Sequence, residues 1–403
     1  MEKLLDDLFQ RWESAFDRFY LISHYREQVK TILYAASSRY NLEKFDWTSF
    51  PGGGPLMEDR AELKQDTLYE YGLNAEGFPC YLKLEYEYNQ VGWQGCYIYN
   101  DDDVEYLEFN VSTGIPSVFK RMVFQDGKKI MFQSLTVNSG GGAPVYFNLS
   151  KNEIVRELKN SDSSFFVVVR RFEYEGDRID RSSSINIMPG LGKYTSRNEY
   201  TYGETGVLDK IRTFFEDGKS QLSYCRNREN LDLSTLIGKL ASAMASAIVE
   251  VLTHQDIQAP IALLELYYHL GDNYHPLLSW QSAQDIEEKM QRGDFPFIND
   301  KYGGPGVDIT PFEDLFVLLE QMMDENDDMD PGSVMLRKAC AILTESKLFG
   351  KIEVAEDFAA YAIDWSIDGH NDEEFEEILL ECGVKQDVLA LWRQRGMLPL
   401  SER

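Results

Sequence analysis

The feature that most restricts the fold is a change of hydrophobic period along the chain. Through residues 1–45, Leu4, Leu5, Leu8, Trp12, Phe16, Phe19 and Ile22 recur at three- and four-residue spacing, with acids and arginines between them. That spacing predicts helix. From about Thr67 to Arg226 the period becomes two. In Lys83-Leu84-Glu85-Tyr86-Glu87-Tyr88 the apolar residues fall on one face of a strand and the charged residues on the other. Residues 165–169 form a continuous β-branched and aromatic run, as a strand buried on both faces requires. After Asn230 the spacing is helical again. A chain that segregates helix, then strand, then helix is expected to be α+β.

The strand region carries its own punctuation. Asp126-Gly127, Glu175-Gly176 and Asp217-Gly218 each sit between apolar runs, where a tight hairpin needs positive φ. Residues 138–142 predict a looser turn. About eight to ten antiparallel strands in a meander are expected. A weak internal repeat runs through them. Glu85-Tyr86-Glu87-Tyr88, followed by Gly92 and Ile98, matches Glu199-Tyr200-Thr201-Tyr202, followed by Gly206 and Ile211. Phe172-Glu173-Tyr174-Glu175-Gly176 is a shorter copy. Val123-Phe124-Gln125-Asp126-Gly127-Lys128 matches Phe214-Phe215-Glu216-Asp217-Gly218-Lys219. This Tyr-x-Tyr…Gly…Ile…Asp-Gly-Lys pattern is similar to the hairpin repeats of YD/RHS-type proteins and of some bacterial toxin–immunity components. The resemblance covers about a third of the chain and agrees with an immunity- or antitoxin-type role.

Beyond the meander, helices are expected from Ser234 as cap to His254, from Pro260 to about Leu270, over 282–291, and after the cap Thr310-Pro311-Phe312-Glu313. Others are expected over 333–345, 353–365, 373–382 and 386–396. The division that follows has an N-terminal helical segment closed by the break Pro51-Gly52-Gly53-Gly54-Pro55 (1–55), a meander domain (56–230) and an acidic, all-helical domain (231–403).

Charge is distributed unevenly. The chain carries a net charge of −28, and 26 of its acids against 7 of its basic residues lie in residues 281–382. That segment alone holds a net −19. A surface so acidic repels nucleic acid and anionic lipid and attracts basic proteins at long range. No nucleic-acid or membrane partner is therefore expected. In the apolar stretch 236–252, Lys239 and Glu250 leave too short an uncharged run between them to cross a bilayer. The first twenty residues carry charged side chains throughout, Glu2, Lys3, Asp6, Asp7, Glu13 and Asp17 among them, and do not read as a signal peptide. Cys80, Cys96, Cys225, Cys340 and Cys382 are odd in number and form no C-x-x-C pair, which predicts free thiols in a reducing cytoplasm.

Sites for chemistry are few. A calcium loop starting at Asp324 lacks glycine at its sixth position and glutamate at its twelfth, where Met329 and Met335 stand. A loop starting at Asp364 has Gly369 in place but Phe375 at the twelfth position. His269, Asp272 and His275 bring two imidazoles and a carboxylate together, but Gly271 and Pro276 break the helical spacing a metalloprotease uses. Gly190-Leu191-Gly192-Lys193 is half a phosphate loop without the helix that should follow. No nucleophile motif is present, and no cofactor, metal or catalytic residue is assigned.

These features point to a non-enzymatic cytoplasmic binding protein, an immunity- or antitoxin-type inhibitor of a basic partner, possessing no cofactor. The expected contact residues are Asp324, Glu325, Asp327, Asp328, Asp330, Asp372, Glu373, Glu374, Glu376 and Glu377. Two alternatives stand beside it: a metal-assisted hydrolase using His269, Asp272 and His275, and a scaffold protein that pairs through a sheet edge.

Overall fold

The computed structural model describes residues 2–36, 38–42, 56–60, 68–86, 90–137, 149–160, 164–188, 192–268, 274–297, 304–326, 328–346, 349–364 and 372–398. The chain divides into two compact units: Met1–Arg226 with Asp324–Asp327, and Asn227–Met323 with Asp328–Arg403.

The first unit is built on one antiparallel sheet of twelve strands, hydrogen-bonded in the order of the sequence. They are Thr31–Ala35 (β1), Leu68–Leu73 (β2), Pro79–Tyr86 (β3), Gln90–Tyr99 (β4), Asp103–Asn110 (β5), Pro116–Gln125 (β6), Lys128–Val137 (β7), Phe165–Glu175 (β8), Arg178–Met188 (β9), Gly192–Tyr202 (β10), Leu208–Phe215 (β11) and Ser220–Cys225 (β12). Nine of the eleven connections are two to five residues long and impose this order, because such a turn leaves the next strand no partner but its predecessor, while β1–β2 and β7–β8 are joined by longer segments. At the β6–β7 turn Asp126 and Gly127 both have positive φ, 51° and 74°. Gly176 (φ 62°) and Gly218 (φ 82°) turn the β8–β9 and β11–β12 hairpins. Tyr200–Tyr202 ends β10 and Tyr86 ends β3, while 87–88 lie outside the described residues; Gly206 turns the chain at φ 77° whereas Gly92 lies inside β4.

Three helices accompany the sheet: Glu2–Ala15 (α1), Leu21–Glu27 (α2) and Lys151–Lys159 (α3), the last opened by a capping box between Ser150 and Glu153. Leu5, Leu8, Trp12 and Ala15 make one stripe of α1, and all are buried. Together with Ile22, Ile154 and Leu158 they form one core with Cys96, Leu107, Phe109, Phe119, Leu135 and Val167 on one sheet face. Trp12 lies edge-on to Phe16 and Phe165, and its indole N–H donates to the Pro116 carbonyl at 2.9 Å. Charge fixes the same docking. Glu105 accepts two hydrogen bonds from Arg18, at 2.9 and 3.0 Å, and one from Arg11 at 3.2 Å.

The residues between those core positions face the other way and make a second core from Tyr71, Leu82, Tyr97, Tyr106, Met122, Phe132, Phe172, Tyr200 and Tyr224. Many aromatics that could have served as exposed recognition residues are thus packing groups. Tyr106 folds over Gly95 and donates to Glu108 at 2.6 Å. A Cβ on residue 95 would lie 2.8 Å from the Tyr106 ring. Gly95→Ala is therefore expected to destabilise the unit by about 1–3 kcal/mol, read as a lower denaturant midpoint. Burial also pushes the Tyr71 phenol up to about 12, despite the hydrogen bond its oxygen accepts from the Arg39 amide. Its folded value lies above its unfolded value near 10, so its contribution is complete below pH 10 and disappears as pH rises toward 12. Stability should fall across that window, and Tyr71→Phe should reduce the fall by about 2 kcal/mol. Denaturant melts at pH 9, 10, 11 and 12 measure both.

The second unit contains Leu233–Thr253 (α4), Ile261–Tyr267 (β13), Leu277–Ser282 (β14), Ala283–Arg292 (α5), Glu313–Asn326 (α6), Asp330–Ser346 (α7), Val354–Ile363 (β15), Asp372–Glu381 (α8) and Gln386–Gln394 (α9). Asp324–Asn326, the end of α6, group with the first unit. The three strands form a mixed sheet of order β14-β13-β15, with β13 and β15 parallel. Helix α7 packs on β15, and α4 packs on α7. The Thr344 hydroxyl of α7 accepts the Ala360 N–H at 3.1 Å and so satisfies part of the β15 edge. Among the described residues α4 is the one helix long and apolar enough to cross a membrane, with mean hydropathy 1.5. Its Leu236, Leu240, Met244, Ile248 and Leu252 are buried in the fold.

The class is α+β, with an N-terminal helix, an antiparallel meander and C-terminal helices. Four expectations need correction. The meander has twelve strands, eleven of them between Leu68 and Cys225 and one more, β1, within the segment read as helical through residue 45. The C-terminal region is not all-helical. The helix expected after Pro260 is β13, and the one expected over 353–365 is β15. Every β13 residue except Tyr267 is buried, as are Phe358–Ile363 of β15, and a strand buried on both faces loses the alternation that identifies it. Finally, Asp232 rather than Ser234 caps α4, accepting the Thr235 N–H at 2.7 Å. The Pro51–Pro55 break and the turn at 138–142 lie outside the described residues.

Candidate functional site

The acidic residues expected to form a contact surface fall on two helix ends and one helix. Asp324 and Glu325 close α6, where Asp324 is exposed. Asp330 opens α7, a position at which a carboxylate suits the helix dipole, and it too is exposed. The Asp328 carboxylate accepts the Asp330 N–H at 3.0 Å, which fixes the turn into α7. Asp327 lies outside the described residues.

Helix α8 carries the second group. Phe375, Ile378 and Leu379 are 2%, 3% and 0% exposed and hold its inner side. The intervening Glu374 and Glu376 are half-buried and Glu377 is exposed. The backbones of Asp372 and Glu373 belong to α8, while their side chains lie outside the described residues. Glu376 ties two helices together, because the Arg393 guanidinium of α9 holds both its oxygens, with Nε at 3.0 Å.

The surrounding arginines are already paired. Arg292 pairs with Asp294, Arg337 with Glu381, Arg393 with Glu376 and Arg395 with Asp357. These are all the arginines of residues 281–398. Lys289 is 5% exposed and therefore withdrawn from the surface. Carboxylates still far outnumber cations over residues 281–382, so the segment projects a net negative field.

The same unit contains an apolar recess of about 310 Å³, at the lower end of the ligand-pocket range. Leu263, Ile286, Met290, Trp392 and Met397 supply its apolar lining, and Glu287 and the Asp357–Arg395 pair its charge. Sequence inspection misses it, because its walls come from β13, α5 and the end of the chain and meet only after folding.

The other candidates fall largely outside the described residues. His269 and Asp272 lie outside the described residues. His275 is exposed, with its ring 4.9 Å from that of Phe316. Among the described residues no three His, Cys, Asp or Glu side chains converge as a metal would require. All five cysteines are buried free thiols, and burial pushes Cys96 up to about 12. A thiol held there is a packing group rather than a nucleophile. No model of a protein family matches this chain, and neither does any curated protein.

Proposed function

We propose that the protein is a non-enzymatic binding protein that captures a basic protein partner through the acidic surface of its second unit and the end of α6, in the manner of an immunity or antitoxin inhibitor. The observation that carries this reading is the commitment of every arginine from 281 to 398 to an internal ion pair, in a segment where carboxylates far outnumber cations. Such a surface accelerates encounter with a cationic protein and discriminates against acidic ones. Asp324, Asp328, Asp330, Glu374 and Glu377 supply the field, while Glu376 holds α8 to α9. The apolar recess beside Glu287 offers contact area for an anchoring side chain. The buried free thiols agree with action in a reducing cytoplasm.

The test is capture from a lysate of the source cells at low salt, using the wild-type chain and a variant carrying Asp324→Asn, Asp328→Asn, Asp330→Asn, Glu374→Gln and Glu377→Gln. A basic protein retained by the wild type, released by salt and lost from the variant is the expected result. Equal retention by both chains would contradict the assignment.

A further inference from the structure

Arg170 of β8 keeps a buried donor without a hydrogen-bond partner. Register places Arg170 of β8 opposite Phe132 of β7 and Ser184 of β9. Ser134, Ser182 and Asn186 occupy the diagonal positions, and Val168 and Phe172 precede and follow it on the same face. None of these neighbours is acidic. The Arg170 Nε is buried and has no hydrogen-bond partner. Among the described residues the guanidinium forms no ion pair. An orphaned buried donor of this kind is uncommon, since desolvation costs it free energy that nothing in the fold returns.

The floor around it is polar and built in. Ser134, Ser182, Ser184 and Asn186 are 5%, 0%, 2% and 6% exposed. The Ser184 and Ser196 hydroxyls lie 3.0 Å apart, and the Asn186 amide donates to Ser196 at 3.1 Å. Asn186 and one serine supply both donors these contacts need, so one hydroxyl proton is not consumed within the chain. Arg170 as a whole is only half-buried, so part of its side chain reaches solvent.

We infer that Arg170, with the Ser134 and Ser184 hydroxyls, forms a binding site for an oxyanion, either a carboxylate or a phosphoryl group. A guanidinium presents parallel N–H donors that match two oxygens of such a group, and hydroxyl donors complete its coordination. The site belongs to the first unit and is independent of the acidic surface.

Thermal melts of the full chain at constant ionic strength test it, with sodium chloride replaced by inorganic phosphate, acetate or N-acetylglycine. At least one of these anions should raise the Tm of the wild type by roughly 2 °C or more and leave Arg170→Met unmoved. A response to phosphate alone assigns a phosphoryl ligand, and a response to acetate and N-acetylglycine assigns a carboxylate. In chloride alone Arg170→Met should melt no lower than the wild type, because an apolar side chain removes the orphaned donor. An Arg170→Met protein that melts several degrees lower in chloride would make the arginine structural. Anion shifts that are absent, or equal in both proteins, would equally overturn the site.

Discussion

Trp12→Ala is expected to cost the sheet unit about 3–5 kcal/mol, the upper range for a single core truncation. The indole is 0% exposed and touches two aromatic rings. Its removal leaves a cavity between α1 and the sheet that neither can close, because β6 and β7 are held rigid by their neighbours in the ladder. It also leaves the Pro116 carbonyl without its donor. Urea unfolding should show a midpoint shift of that size, whereas Trp12→Phe, which keeps an aromatic ring and loses the hydrogen bond, should recover more than half of it.

Glu105→Ala ranks next, at about 3 kcal/mol. Glu105 is 5% exposed and neutralises Arg11 and Arg18 together, so its loss strands Arg18 and leaves Arg11 with Asp7 alone at the α1–sheet junction. The side chains of Arg11 and Arg18 are 36% and 26% exposed, and water recovers part of their solvation. This places the effect at the low end for a broken buried pair. Raising the salt should not rescue the variant, since the missing interaction is partly shielded from solvent. A change below about 1 kcal/mol would mean that apolar contacts alone dock α1.

Local signals account for what the sequence discloses. Asp126-Gly127 and Asp217-Gly218 mark hairpins because only residues that tolerate positive φ serve there. The stripe Leu5, Leu8, Trp12 reads as helix because a one-sided burial pattern survives in the sequence. Strands β13 and β15 escape because burial on both faces removes the alternation. In β15 the alanines Ala359, Ala360 and Ala362 carry helix propensity that sheet pairing overrides. The abundance of acids is legible, but their division of labour is not. Nothing in the local sequence separates Glu376, clamped by Arg393, from Glu377 one residue later, which faces water. Arg170 is hidden for the same reason, since its isolation depends on strands that register opposite it.

The central claim is that the acidic surface recruits a basic protein, and its most direct test is the association rate constant for the captured partner as a function of ionic strength. For the wild type, the rate constant should fall by at least about tenfold between roughly 20 and 300 mM salt. The variant with five neutralised carboxylates should start lower and show a shallower slope. A rate constant that does not change with salt, or wild-type and variant slopes that coincide, would contradict the account.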